Sequence, residues 1–92
     1  MDAPVTLYTT RYCPFCIRAR QLLDLKRVAY RDIPVDGDPK ARQEMMAASG
    51  RHTVPQIWIG EQHVGGYDDL AALERAGELD TLLTSAGALS EV

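Results

Sequence analysis

The chain has 92 residues, of which 46% are apolar and 25% charged, with a net charge of −3 and two cysteines. These values fit one small globular domain and exclude a disordered chain or a disulfide-stapled scaffold, which needs four or more cysteines. With no basic block and no apolar run near the roughly 20 residues that span a bilayer, neither nucleic acid nor a membrane is an expected partner.

In chain order, VTLYTT (Val5 to Thr10) is short, β-branched and aromatic, and predicts a strand. Pro14 suits a first helical position, where its missing N–H costs nothing. From Phe15 to about Arg27, the residues Ile17, Leu22, Leu23 and Leu25, with Ala19, predict a helix with a buried stripe. VAYRDIPV (Val28 to Val35) reads as a second strand, which Pro34 either ends or places at a sheet edge. Asp38 and Pro39 form an N-cap and first residue for a helix through Met45 and Met46, stopped by Gly50. Gln56 to Ile59 predicts a strand, Gly60-Glu61 a tight turn and His63-Val64 a short return strand. Gly65-Gly66 breaks that strand. Asp68 or a neighbour then caps a last helix with Leu70 and Leu73 inside. Gly77 interrupts it, and Leu79, Leu82 and Leu83 add a final turn or two of packing. The domain is expected over 1–85, with 86–92 a frayed tail. The order β-α-β-α-β-β-α implies a right-handed parallel crossover followed by a hairpin. That is an α/β fold, a mixed four-stranded sheet with helices on both faces.

Both cysteines lie in TTRYCPFC, two residues apart beside the first βαβ unit. A metal clip, a structural disulfide and a working thiol pair all begin this way. Zinc would need His52 and His63 as further ligands, and their spacing does not match small zinc sites. A bond across so short a loop stabilises little. MDAPVTLY has no basic region followed by an apolar stretch, so the expected compartment is the reducing cytosol, where dithiols are catalytic or metal-binding. A C-x-x-C beside a βαβ unit reads as a thioredoxin-like redox motif. With Pro14 the first helical residue, Cys13 is the N-cap. The N–H groups of Phe15 and Cys16 and the helix dipole favour its thiolate, the nucleophilic form. Cys16, one turn in, is expected to be buried and to remain a thiol.

CPFC, TVPQIWIG and GGYDDL, in this order and at these separations, resemble the glutaredoxins, specifically the short bacterial dithiol type. The resemblance runs from about Val5 to Leu83. It implies a thioredoxin-like fold and a glutathione-dependent thiol–disulfide oxidoreductase acting on protein disulfides and glutathione mixed disulfides. It further implies a cytoplasmic monomer with no metal and no tightly bound cofactor. Its partners would be glutathione, as reducing co-substrate, and disulfide-containing or glutathionylated client proteins. Cys13 would be the nucleophile and Cys16 the resolving thiol. Pro55 would follow a cis bond and turn the Val54 backbone towards Cys13, to pair with the cysteinyl backbone of glutathione. Phe15 and Thr53 would flank that groove. Gly66 and the N–H groups of Tyr67 and Asp68 would hold the γ-glutamyl carboxylate, the side chain of Asp68 or Asp69 its ammonium, and Arg42 the glycyl carboxylate. Many members carry a lysine where this chain has Thr10, so Arg11 is the expected substitute cation. CPFC also lacks the phenolic hydroxyl of the usual C-P-Y-C. Two other readings are a glutathione-ligated [2Fe–2S] carrier, against which Pro14 and the second thiol argue, and an electron carrier reduced by thioredoxin reductase.

Overall fold

The computed structural model describes residues 4–88. Its strands are β1 (Val5–Thr9), β2 (Tyr30–Pro34), β3 (Gln56–Ile59) and β4 (Gln62–Gly65). Its helices are α1 (Pro14–Leu25), α2 (Pro39–Ser49), α3 (Tyr67–Arg75) and α4 (Leu79–Ser85). The sheet order is β2-β1-β3-β4. β1 runs parallel to β2 and antiparallel to β3, and β3 is antiparallel to β4. Pro34 thus ends a strand that is also at the edge, where its missing N–H breaks no ladder.

The period-two alternation of the strands divides the core. Val5, Leu7, Ile57 and Ile59 point to one face, where they pack with Ala19 and Leu23 of α1, Leu70 of α3, and Leu79 and Leu83 of α4. Thr6, Tyr8, Gln56 and Trp58 alternate to the other face, with Tyr8 and Trp58 in edge-to-face contact at 5.4 Å. The buried residues of α2, Ala41 and Met45, stand outside that cluster. Among the described residues, no helix is long and apolar enough to cross a membrane.

The inward stripe of α1 differs from the sequence expectation. It consists of Cys16, Ala19 and Leu23, whereas Ile17 is half exposed and Leu25 is 81% exposed. Steps of three and four residues keep positions 16, 19 and 23 on one face, and that face excludes 17 and 25. Ala19 and Leu23 face inward as expected and Leu22 packs against their cluster, while Cys16 completes the stripe in place of Ile17 and Leu25.

The helix ends follow local rules. Asp38 accepts the N–H of Ala41 at 3.1 Å, and Gly50 closes α2 with a φ of 72°. α1 ends without a glycine. Arg27 takes the left-handed conformation (φ 58°), while Arg27 and Val28 donate to the Asp24 and Leu23 carbonyls. Of Asp68 and its neighbours it is Asp69 that caps α3, its carboxylate accepting the N–H of the N-cap residue Gly66 at 2.9 Å. Of the tail expected at 86–92, residues 86–88 close α4: Gly87 and Ala88 donate to Thr84 and Leu83, and Ala86 and Ala88 rest on the core. Residues 89–92 lie outside those described.

One ion-pair cluster ties three helices together. Lys26 at the end of α1 meets Glu74 of α3 at 2.7 Å and Asp80 of α4 at 2.8 Å, with its side chain only 18% exposed. Asp80, and then Glu74, hold the Lys26 ammonium above its ordinary pKa. Its contribution is therefore fully present at neutral pH and is lost as pH rises through the raised lysine pKa. Lys26→Met is expected to cost about 1 kcal/mol, seen as a melting temperature lower by about 4–8 °C. The gap from wild type should narrow in high salt. An unchanged melting temperature at low salt would mean the pairs contribute nothing.

Candidate active site

The site is built where β1 hands over to α1. Cys13 has extended backbone angles (φ −94°, ψ 112°) and Pro14 begins the helix, so the Cys13 sulfur stands at the N-cap. It accepts the N–H of Cys16 at 3.2 Å. Across the cleft, the Cys13 thiol faces the Val54 carbonyl oxygen at 3.7 Å. The Val54–Pro55 bond is cis. Cys13 is half-buried, while Cys16, behind it, is wholly buried, and both are free thiols. Burial, and then the neighbouring Cys13, push the Cys16 thiol up to about 12; the Thr10 N–H and Arg20 act in the opposite direction. The two sulfurs are thus chemically unequal. The outer one is accessible and helix-capped, and the inner one is held as a thiol.

Beside Cys13 lies a cleft of about 210 Å³. One wall is the loop Thr53, Val54 and Pro55. The other is the start of α3, with Gly66, Tyr67, Asp68 and Asp69. The first N–H groups of a helix have no intrahelical partner, so this wall offers donors and a positive dipole end. Phe15 closes the end nearest the cysteines, its ring 6.4 Å from that of Tyr67, with the Arg18 guanidinium 5.6 Å over its outer side. The structure therefore gathers eight of the ten flanking positions named from the sequence into one cleft: Phe15, Thr53, Val54, Pro55, Gly66, Tyr67, Asp68 and Asp69.

Arg11 and Arg42 are placed elsewhere. Arg11 is turned outward onto Asp36. Its backbone N–H donates to that carboxylate at 3.3 Å and its Nε lies 3.6 Å away, with the side chain 74% exposed. The chain has already left β1 for a turn, so a cation one place out of register points away from the cleft. Arg42 is absent from the cleft lining but donates to the His52 carbonyl at 3.2 Å, next to the loop that begins at Thr53.

Four residues escaped the sequence reading. Arg51 lines the cleft and pairs with Asp69 at 3.3 Å, linking the two walls. Gln56, wholly buried, donates through Nε2 to both the carbonyl and hydroxyl of Thr53, at 3.1 and 3.2 Å. Its Oε1 is therefore the acceptor for His63 Nε2 at 2.7 Å, which assigns the proton to that nitrogen. Burial, and then the charge of Arg51, lower the His63 pKa. Arg20, the fourth, lies behind Cys16. It alone left a sequence signal, being four residues from Cys16 on one helix.

An accessible thiol capping a helix, a buried thiol one turn behind it and a loop whose Val54 carbonyl faces the outer sulfur define a thiol–disulfide oxidoreductase of the thioredoxin-like fold. Comparison with known proteins agrees. The Glutaredoxin family model matches residues 5–64. A glutaredoxin of Pseudomonas aeruginosa is 60% identical over 82 residues, covering 89% of this chain and 98% of its own. Glutaredoxin 3 of Escherichia coli is 52% identical over 81 residues, covering 88% and 98%. Among solved structures, a buckwheat glutaredoxin–glutathione complex superposes with a TM-score of 0.89 at 30% identity, covering 96% of this chain and 83% of that one. The glutaredoxin of Brucella melitensis superposes at 0.79 and 47%, covering 97% and 96%. The chain belongs to the glutaredoxin family.

Proposed function

We propose that the reductant is glutathione and that the protein reduces both protein disulfides and glutathione mixed disulfides. The observation that carries this reading is the cleft itself. It joins the Val54 backbone, whose carbonyl faces the one accessible sulfur, with a helix N-terminus and a carboxylate pair. Glutathione carries matching groups along its length. Its cysteinyl backbone would pair with Val54 as an added strand. Its γ-glutamyl carboxylate would meet the N–H groups of Tyr67 and Asp68, and its ammonium the carboxylate of Asp68, since Asp69 is engaged with Gly66 and Arg51. Arg42 spends one N–H on His52. A guanidinium has five donors, which leaves others for the glycyl carboxylate. Arg11 has no part in this reading. The similarity to a solved glutaredoxin–glutathione complex supports it.

In the reaction, the Cys13 thiolate attacks a client disulfide and the client's other sulfur leaves. Cys16 then attacks Cys13, closing the internal disulfide and releasing the client as a dithiol. Glutathione opens that disulfide, leaving glutathione on Cys13. A second glutathione attacks the glutathione sulfur, giving oxidised glutathione and the starting thiol. With a glutathionylated client only Cys13 is required. The setting we propose is the cytosol, where the glutathione pool is reducing, with the protein acting as a monomer on varied clients.

Cys16→Ser tests the reading. Mixed with oxidised glutathione, it is expected to stop with one glutathione covalently on Cys13, seen by mass spectrometry, while wild type proceeds to the internal disulfide. Trapping no better than with an unrelated small disulfide of similar potential would remove glutathione as the favoured partner.

A further inference from the structure

The mechanism above makes no use of the charged network behind the inner thiol. Cys16 and Arg20 lie four residues apart on α1 and share a face. Arg20 does not reach into solvent: Nε donates to Asp32 at 2.6 Å, Nη2 donates to the Thr9 hydroxyl at 3.0 Å, and its side chain is 26% exposed. Thr9, wholly buried, donates in turn to the other oxygen of Asp32 at 2.5 Å. The backbone of the next residue, Thr10, favours the charged form of the Cys16 sulfur. Three elements, α1, β1 and β2, thus hold one guanidinium in a fixed place behind a wholly buried thiol.

Closure of the internal disulfide needs Cys16 as a thiolate. Cys16 loses its proton and attacks Cys13, and the Cys16–Cys13 bond forms. The bond from Cys13 to the bound thiol breaks, and that leaving thiolate takes up a proton. The leaving thiol is reduced and Cys16 is oxidised. Burial opposes ionisation of Cys16, while Cys13, tied up in the mixed disulfide at this step, carries no charge. The groups favouring it are the Thr10 N–H and Arg20, and Arg20 is in turn acted on by Asp32 and Tyr30. The guanidinium, held at two nitrogens, keeps its charge in place.

We propose that Arg20, pinned by Asp32 and Thr9, is a positioning residue for the resolving step: its charge stabilises the Cys16 thiolate as it forms and so sets how fast a mixed disulfide closes. The role concerns dithiol chemistry with any bound thiol, so it stands or falls separately from the choice of glutathione.

A chromogenic aryl disulfide reads both steps in one stopped-flow trace. Attack by Cys13 releases one coloured thiol and closure by Cys16 releases the second. Arg20→Gln is expected to slow the second release about three- to tenfold at neutral pH, on the order of losing one partly screened charge–charge interaction, and to move its pH profile upward. Arg20→Lys, which keeps the charge, is expected to recover most of the rate. Thr9→Val, which removes one anchor and keeps the charge, is expected to slow closure about twofold, and it serves if Arg20→Gln fails to fold. An unchanged second phase in the variants that fold would overturn the proposal. So would equal slowing of both phases, or a rate loss in Arg20→Lys as large as in Arg20→Gln, since either would mark a structural role only.

Discussion

Cys13→Ser is expected to bring thiol–disulfide exchange down to the uncatalysed rate while leaving the protein folded. The fold should tolerate the change because residue 13 is an N-cap, accepting the N–H of Cys16 at 3.2 Å, and serine is a preferred residue there. The loss is therefore chemical, because a serine hydroxyl is not ionised at neutral pH and does not attack sulfur. Cys16 cannot substitute. It is wholly buried, and that burial, the largest cause raising its pKa, persists when Cys13 is gone. Reduction of a small disulfide, followed alongside a thermal melt, checks both halves. Substantial activity in a folded Cys13→Ser protein would show that Cys16 attacks directly, and the inequality of the two sulfurs would be mistaken.

Gly65→Ala is expected to be the most damaging change outside the cysteines. Gly65 ends β4 with a φ of 118°, a conformation that side chains rarely adopt, and strain of this kind costs about 1–3 kcal/mol. A Cβ there would also meet the Asp69 carboxylate, with Cγ at 2.9 Å, and Arg51 Nη1 at 3.1 Å. Asp69 cannot yield without releasing the N–H of Gly66 and the Arg51 pair. One methyl group thus attacks the cap of α3 and the bridge between the two cleft walls together. The melting temperature should fall by at least about 8 °C, and glutathione affinity should fall with it. Gly77→Ala is the comparison, because Gly77 has a φ of 72° and open space around a built Cβ. It carries the backbone term alone. Equal losses in the two variants would mean that the Asp69 cluster has no energetic weight.

Most of the elements were legible in the sequence because they are set by local chemistry. Pro14 and Pro39 lack the N–H that a first helical turn leaves unused, Asp38 supplies a capping oxygen, and Gly50 and Gly77 accept positive φ. The α1 end was expected at about Arg27, where the chain does leave the helix, but how it is made was not legible, since no glycine marks it. The turn is held by Val28 packing into the core and donating to Leu23. The inward face of α1 was misjudged for a related reason. Ile17 and Leu25 are as apolar as Leu23, and only the position of the sheet decides which of them meets it.

The sequence by itself determined the chemistry: two sulfurs one helical turn apart at a proline-started helix, with T-V-P and G-G-Y-D-D to accompany them. Spacing along one helix suffices for that, because the cap and the dipole are properties of the helix alone. Only the tertiary structure decided which charges serve the site. Arg11, adjacent in sequence, spends itself on Asp36. Arg51, Gln56 and His63, distant in sequence, brace the cleft, and Arg20 is fixed behind Cys16 by residues of two strands. A charge acts through distance and burial, and both are set by where the strands place it.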